Sequence, residues 1–177
     1  MRHFQKIAEA VDVVPVLDAL IRNADLWDQN TLPTTHPGTA HSDVSDIWVM
    51  FNDASGDVAN DREVIPYPAW ERLPQLRPLV LDLMRRVEGV RLGRVIITRL
   101  PPGKAITPHV DGGAAATYFT RYQIALQSAP GALFRIADEQ VYFRTGEVWQ
   151  IDNRSEHEVI NHSAEDRIVV IVDIRDG

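Results

Sequence analysis

Cysteine is absent from the 177 residues. That excludes disulfides, thiolate metal sites and cysteine nucleophiles, so any metal must be held by His, Asp or Glu. Basic charge is in deficit as well. Eighteen Lys and Arg against 25 Asp and Glu leave a formal charge of −7, which argues against a nucleic acid or an acidic membrane surface as partner. Long apolar runs are missing. The opening MRHFQKIAEAVDVV has neither a signal-peptide core nor a membrane span, so a cytoplasmic protein is expected. What is present, 45% hydrophobic and 24% charged residues, is an ordinary globular balance. A chain of this length buries about two-thirds of its unfolded surface, enough for one domain spanning 1–177.

Phe4, Ile7, Val11, Val14 and Leu17 recur at helical spacing, so the pattern predicts an amphipathic helix over 4–21, split near Pro15. Residues 30–43, rich in Pro, Thr and His, read as a long loop of the kind that forms lids and binding loops. DIWVMF (46–51) reads as a strand and NDASGD (52–57) as a turn. Leu76, Leu79, Val80, Leu83, Met84 and Val87 line one stripe of a second helix, 74–87. After Gly89 the pattern changes to short β-rich runs: 93–100, 120–127, 132–137, 140–145, 147–152, 157–162 and 167–174. Turn-forming stretches such as PPGK and NRSE separate them. The expected architecture is mainly β: a jelly-roll core over 93–177, with 1–92 as helical and loop support and substrate lid. No repeat or low-complexity segment interrupts it.

RLPPGKAITPHVDGG (99–113) places His109 and Asp111 two positions apart after a Pro/Gly turn. In extended chain both side chains point to one face. His157 opens a separate β-run that a jelly roll can fold back beside them. Two imidazoles and one carboxylate on one side of a metal leave three positions open, the facial triad of non-haem Fe(II) oxygenases. The competing reading of H-x-D alone is a polar pair on a surface loop.

Arg167 adds weight. A keto acid such as 2-oxoglutarate binds metal through one end, and its far carboxylate needs a buried, planar, bidentate cation. Arg167 stands ten residues after His157 at the start of an apolar strand. If 157–163 and 167–173 form a hairpin with loop 164–166, Ser163 pairs with Arg167 and His157 with Asp173, and Arg167 shares a face with His157. Otherwise Arg167 is a strand-edge charge paired with Asp166 or Glu165.

PGKAITPHVDGG, then RYQIALQ, then GEVWQIDNRSEHEVINHSAEDRIVVIVDI resemble the aspartyl/asparaginyl β-hydroxylase family of 2-oxoglutarate-dependent oxygenases. The resemblance covers residues 93–175 well and the first half loosely. It implies a double-stranded β-helix, with Fe(II), 2-oxoglutarate and O₂ as its cofactors. It also implies His109 and His157 as iron ligands and Arg167 as partner of the 2-oxoglutarate C5 carboxylate. Thr98 matches a hydroxyl that assists the same carboxylate. Arg121 matches a pocket arginine, and Gln123 falls where animal members have histidine. Those animal members have glycine at the position of Asp111, so this chain is similar instead to bacterial members with a complete triad, among them hydroxylases of free proline.

The implied reaction hydroxylates an unactivated C–H bond of a small molecule, an amino acid or a peptide side chain, with succinate and CO₂ as coproducts. Arg121, Asn153 and Trp48 are candidates for substrate contact, Arg121 through a substrate carboxylate. Trp48 and Trp149 otherwise read as core aromatics, and Asn153 as turn polarity. His162, five residues past His157, falls on the opposite strand face, while His36 and His41 read as loop polarity. Two alternatives stay open: a cupin-type metal dioxygenase that uses no keto acid, and a non-catalytic β-barrel binding module.

Overall fold

Phe4–Ala8 is a strand, β1, and not the first turns of a helix; the helical spacing over 4–21 is misleading there. The computed structural model describes residues 1–31, 37–55 and 62–177. β1 pairs antiparallel with a later strand, and Phe4 packs edge-on against Phe134, Phe143 and Trp149. An open sheet edge that accepts its backbone hydrogen bonds outweighs the helical pattern of a five-residue stretch. The helix proper, α1, is Val14–Arg22, with Pro15 in its first turn, where a missing N–H costs nothing.

The chain continues through β2 (Ser45–Phe51), β3 (Ile65–Pro66), α2 (Pro68–Arg72) and α3 (Leu76–Arg86). Leu76, Val80 and Leu83 of α3 are buried, as its stripe predicts. Then follow β4 (Gly89–Leu100), β5 (Ala105–His109), α4 (Gly113–Tyr118), β6 (Thr120–Gln127), β7 (Ala132–Ile136) and β8 (Glu139–Val141). β9 (Val148–Ile151), β10 (His157–Asn161) and β11 (Arg167–Asp176) complete it. Seven strands form one sheet in the order β1-β9-β6-β11-β4-β2-β3, and four form a second, β5-β10-β7-β8. All pairs are antiparallel. This is the double-stranded β-helix expected, with β1, β2 and β3 of the first half completing the large sheet.

The helices cover the outer face of that sheet, where Val16, Leu20, Leu76 and Val80 meet Val95, Ile97, Ile124 and Val172. Its inner face runs in rows across the strands. Asp46, Thr98, Val169 and Ala125 form one row, and Trp48, Ile96, Ile171, Gln123 and Trp149 the next. Asp173, Arg121 and Ile151 form a third. Among the described residues no helix is long and apolar enough to cross a membrane.

The expected hairpin between 157–163 and 167–173 does not form. β10 belongs to the small sheet and pairs with β5 and β7, whereas β11 sits in the large sheet between β4 and β6. Asn161, fully buried, fixes the crossing between the sheets. Its amide nitrogen donates to the Leu100 and Glu165 carbonyls (2.9 and 2.8 Å), and its oxygen accepts from the Ser163 N–H and hydroxyl (3.1 and 2.6 Å). Two buried β-runs thus change sheets within a few residues because one side-chain amide takes over the backbone's hydrogen bonds. Asn161→Leu takes a donor from the Leu100 carbonyl and the acceptor from the Ser163 N–H, while the Glu165 carbonyl keeps the Ser163 hydroxyl; it is expected to lower unfolding free energy by about 2–4 kcal/mol in urea titration.

Candidate metal centre

His109 ends β5 and His157 begins β10, and the two are directly paired across the small sheet. Their ring centroids lie 4.2 Å apart. Asp111 lies just past the end of β5. Its backbone N–H donates to the Asn153 carbonyl (3.1 Å), which turns the carboxylate back toward the imidazoles. Val110 between them is exposed, so the alternation read from H-x-D holds although the strand stops at His109. One ligand atom from each of His109, Asp111 and His157 lies within 4.8 Å of the others, and among the described residues this is the one such cluster.

The hydrogen bonds prepare these groups for a divalent cation. His109 Nδ1 faces the Thr107 carbonyl at 2.8 Å and His157 Nδ1 the Ser155 carbonyl at 2.9 Å. A carbonyl only accepts, so each Nδ1 carries the proton and each Nε2 turns its lone pair toward Asp111. Burial pushes both imidazoles toward the neutral state. In His157 burial wins, whereas in His109 the bonds to Asp111 and the Thr107 carbonyl overcome it and raise the pKa. Burial opposes ionisation of Asp111, but His109, the Arg121 charge and the Asn153 amide hold its carboxyl well below the usual range. A donor set of two imidazoles, His109 releasing its Nε2 proton when a cation binds, and one fixed carboxylate suits ferrous iron.

Asp111 is held by two of the residues singled out as pocket candidates. Asn153 Nδ2 donates to Oδ2 at 2.9 Å, and Arg121 Nη1 donates to the same oxygen. Arg121 Nε and Nη2 fork onto Asp173 at 2.8 and 2.9 Å. Its guanidinium is thus shared between two carboxylates, whose charges keep its pKa raised against burial.

Arg167 is buried, at 3% exposure, with its guanidinium over the rings of Phe134 and Phe143. Nη2 donates to Gln123 Oε1 at 3.0 Å, and among the described residues no carboxylate pairs with it. Neither Asp166 nor Glu165 serves as the strand-edge partner. Burial alone lowers its pKa, to about 10, so it is still a cation at neutral pH. A buried, unneutralised guanidinium is costly unless an anion joins it, and this is the fit expected of a dicarboxylate cosubstrate. Thr98, on the same inner face, donates to Asp46 Oδ1 at 2.8 Å.

A cavity of about 210 Å³ connects the three candidate ligands with Gln123, the partner of Arg167, and with Thr98. His109, Asp111 and His157 line one end, with Gln123, Phe134 and Thr98 deeper in. Trp48 is part of its wall, stacked on Phe51 at 3.8 Å. The Trp48 indole N–H is buried and, among the described residues, finds no hydrogen-bond acceptor. The sequence reading missed two lining residues. His41 meets His109 edge-on at 4.8 Å, and burial, with the charge of His109 next, pushes its pKa down to about 4. Asp46 sits two positions before Trp48 on β2, a same-face spacing that marks it once Trp48 is placed in the wall. His162 is exposed, as read, and His36 lies outside the described residues.

Fold and site together define a class: non-haem Fe(II), 2-oxoglutarate-dependent dioxygenases built on the double-stranded β-helix. The family model for aspartyl/asparaginyl beta-hydroxylase matches residues 22–176, and the chain belongs to that family. It is an enzyme whose cofactors are Fe(II), 2-oxoglutarate and O₂ and whose reaction is hydroxylation. No curated protein matches it by sequence. Among solved structures it is similar to a 2OG-Fe(II) oxygenase family oxidoreductase from Burkholderia pseudomallei, at 22% identity. That match covers 75% of this chain and 68% of that one, with TM-score 0.55. A Trichoplax adhaerens prolyl hydroxylase in complex with a hypoxia inducible factor peptide fragment is 13% identical. It covers 98% and 84%, with TM-score 0.62. A Pseudomonas putida prolyl-4-hydroxylase is 16% identical over 99% and 94%, with TM-score 0.57. These likenesses are of fold.

Asn153→Ala leaves the ligands in place but removes one of the bonds that aim Asp111. Its expected effect is about 10–100-fold weaker Fe(II) or Co(II) binding, read by metal titration.

Proposed function

We propose that His109, Asp111 and His157 hold the ferrous ion and that Arg167, with Gln123 and Thr98, receives the distal carboxylate of 2-oxoglutarate. The observation that carries this reading is the buried Arg167, which no carboxylate among the described residues neutralises and whose guanidinium packs on the same Phe134 ring as His157. When bound, iron with 2-oxoglutarate and O₂ supplies the oxidative decarboxylation that yields succinate and CO₂ and delivers one oxygen atom to a substrate C–H bond. The protein's share is placement. Thr107 and Ser155 carbonyls keep the imidazole lone pairs aimed, Asn153 and Arg121 keep Asp111 ionised and oriented, and Phe134, Ile106 and Val159 exclude water.

Arg121 serves in this reading as the positioning partner of Asp111 and not as a substrate anchor, since Asp111 and Asp173 already share its charge. The substrate enters beside Trp48 and Phe51 at the mouth of the cavity. It offers an acceptor, such as a carbonyl or carboxylate oxygen, to the Trp48 indole N–H. A free amino acid, another small molecule or a peptide side chain meets that requirement. The Trichoplax prolyl hydroxylase, which shares the fold, was solved with a peptide bound, and this supports the peptide side chain. Residues 1–177 act as one oxygenase domain in the cytoplasm.

Succinate release from 2-oxoglutarate by the Fe(II)-loaded protein tests this. Arg167→Ala is expected to raise the KM for 2-oxoglutarate about 100-fold, the cost of removing a buried charge-assisted pair, with metal binding kept. An unchanged keto-acid requirement in that variant would point to a cupin-type dioxygenase. Metal binding without succinate, coupled or uncoupled, would point to a binding module.

A further inference from the structure

Asp46 is the buried titratable group for which the assignments above have no use. It is 7% exposed and lines the cavity from β2, the strand next to Thr98. Its side chain has one hydrogen bond, accepted from the Thr98 hydroxyl at 2.8 Å. The charged and titratable groups near it are few. Asp28, on the preceding loop, accepts the Asp46 backbone N–H at 3.0 Å and contributes a like charge. His41, on the loop leading into β2, lines the same cavity and is neutral. Arg94, further along β4, places Nε and Nη2 on Asn52 Oδ1. Arg167 is on β11, two residues from Val169, which shares a row with Thr98 and Asp46. Among the described residues none forms an ion pair with Asp46. Burial, followed by the charge of Asp28 and against the Thr98 bond, pushes its pKa up to about 6.

The position of Asp46 decides what a carboxyl does there. The metal ligands lie toward the row of Arg121 and Asp173, so Arg167 and Thr98 mark the opposite end, where the tail of a bound dicarboxylate rests. A second ionised carboxylate at that end repels the tail. It also claims the single proton of the Thr98 hydroxyl and leaves only lone pairs facing the cosubstrate. A protonated Asp46 reverses both effects. Its own O–H can donate to Thr98 Oγ1, and the Thr98 hydroxyl is then free to donate to the tail.

We propose that Asp46 is a positioning residue that acts through Thr98: 2-oxoglutarate binds to the form with Asp46 protonated, and where Asp46 is ionised beforehand each binding event draws one proton from solvent. This rests on the reading of the cavity as the 2-oxoglutarate site. Because the raised pKa keeps the acid form accessible only up to mildly acidic pH, cosubstrate affinity is tied to pH by a residue that touches neither metal nor substrate.

The test is calorimetric titration of 2-oxoglutarate into the anaerobic, Fe(II)-loaded full-length protein from pH 5.5 to 8. Two buffers of different ionisation enthalpy are used, so that protons taken up are counted. Wild type is expected to bind about 80-fold more weakly at pH 8 than at pH 5.5, the factor by which the protonated fraction of a carboxyl with a pKa of about 6 falls over that range, with close to one proton taken up per binding event at the alkaline end. Asp46→Asn, whose amide can donate to Thr98 at any pH, is expected to bind tightly and evenly across the range without that uptake. Thr98→Val is expected to bind more weakly at acidic pH, where the hydroxyl would otherwise donate to the tail, and to keep only the shallower pH dependence that repulsion by Asp46 alone produces.

Asp46→Asn that keeps the wild-type pH dependence and proton count overturns the proposal while leaving the cosubstrate site intact. If Asp46→Asn does not fold, Thr98→Val decides: a shallower pH dependence supports the proposal, and one as steep as the wild type's overturns it. A primary amine whose binding strengthens above pH 6 and vanishes in Asp46→Asn also overturns it, by making Asp46 an ionised substrate anchor. No heat from 2-oxoglutarate at any pH overturns the cosubstrate reading and this inference together.

Discussion

The Arg121 bridge between Asp111 and Asp173 is the contact on which the site depends. Asp111 stands beyond the end of its strand, where no ladder holds its backbone. Asp173 is buried on β11, a central strand paired on both sides, and lies directly across from Arg121 of β6 where the pairing with β4 shifts. Arg121, on the neighbouring strand β6, transfers that rigidity to the loop carboxylate through a planar fork. Two carboxylates against one guanidinium leave one formal negative charge beside the imidazoles. A divalent cation is attracted to that charge, and His109 and His157 contribute none while neutral.

The two sheets divide the work. The small sheet carries the imidazoles on β5 and β10, each aimed by a carbonyl two residues earlier in its own chain. The large sheet carries the charged residues: Arg121 and Asp173 at the metal end, Arg167 and Asp46 at the other. Phe134, whose ring packs on both the Arg167 guanidinium and the His157 imidazole, joins the two ends with apolar surface. In the proposed reading, the Arg167 cation at one end and the imidazoles with Asp111 at the other suit a molecule with a chelating head and an anionic tail. Helices α1 and α3 pack behind the large sheet and stiffen it without entering the cavity.

Much of this was legible in the linear chain. The H-x-D pair, the distant His157 and the β-rich character after Gly89 follow from residue type and period two, and the α3 stripe from period 3.6. The resemblance in 93–175 extended them to Fe(II) and 2-oxoglutarate. Two readings failed for a shared reason. The 4–21 helix and the 157–173 hairpin were inferred from local pattern, yet β1 and β11 were each claimed by strands distant in sequence. A free sheet edge or a vacant central position competes with local preference, and nothing in a short window records it.

The sequence by itself determined which chemistry is open to this protein: no thiol to bind metal, two spaced imidazoles with an adjacent carboxylate, and an arginine among apolar residues. Those are properties of side chains and their spacing, and they survive any arrangement of strands. Only the tertiary structure decided which charges face one another. It assigned Arg121 to Asp111 and Asp173, left Arg167 without a carboxylate, and brought Asp46 from the first half of the chain to the hydroxyl of Thr98. Electrostatic energy depends on distance and burial, and for residues about fifty positions apart both are set by how strands from two sheets close around one cavity.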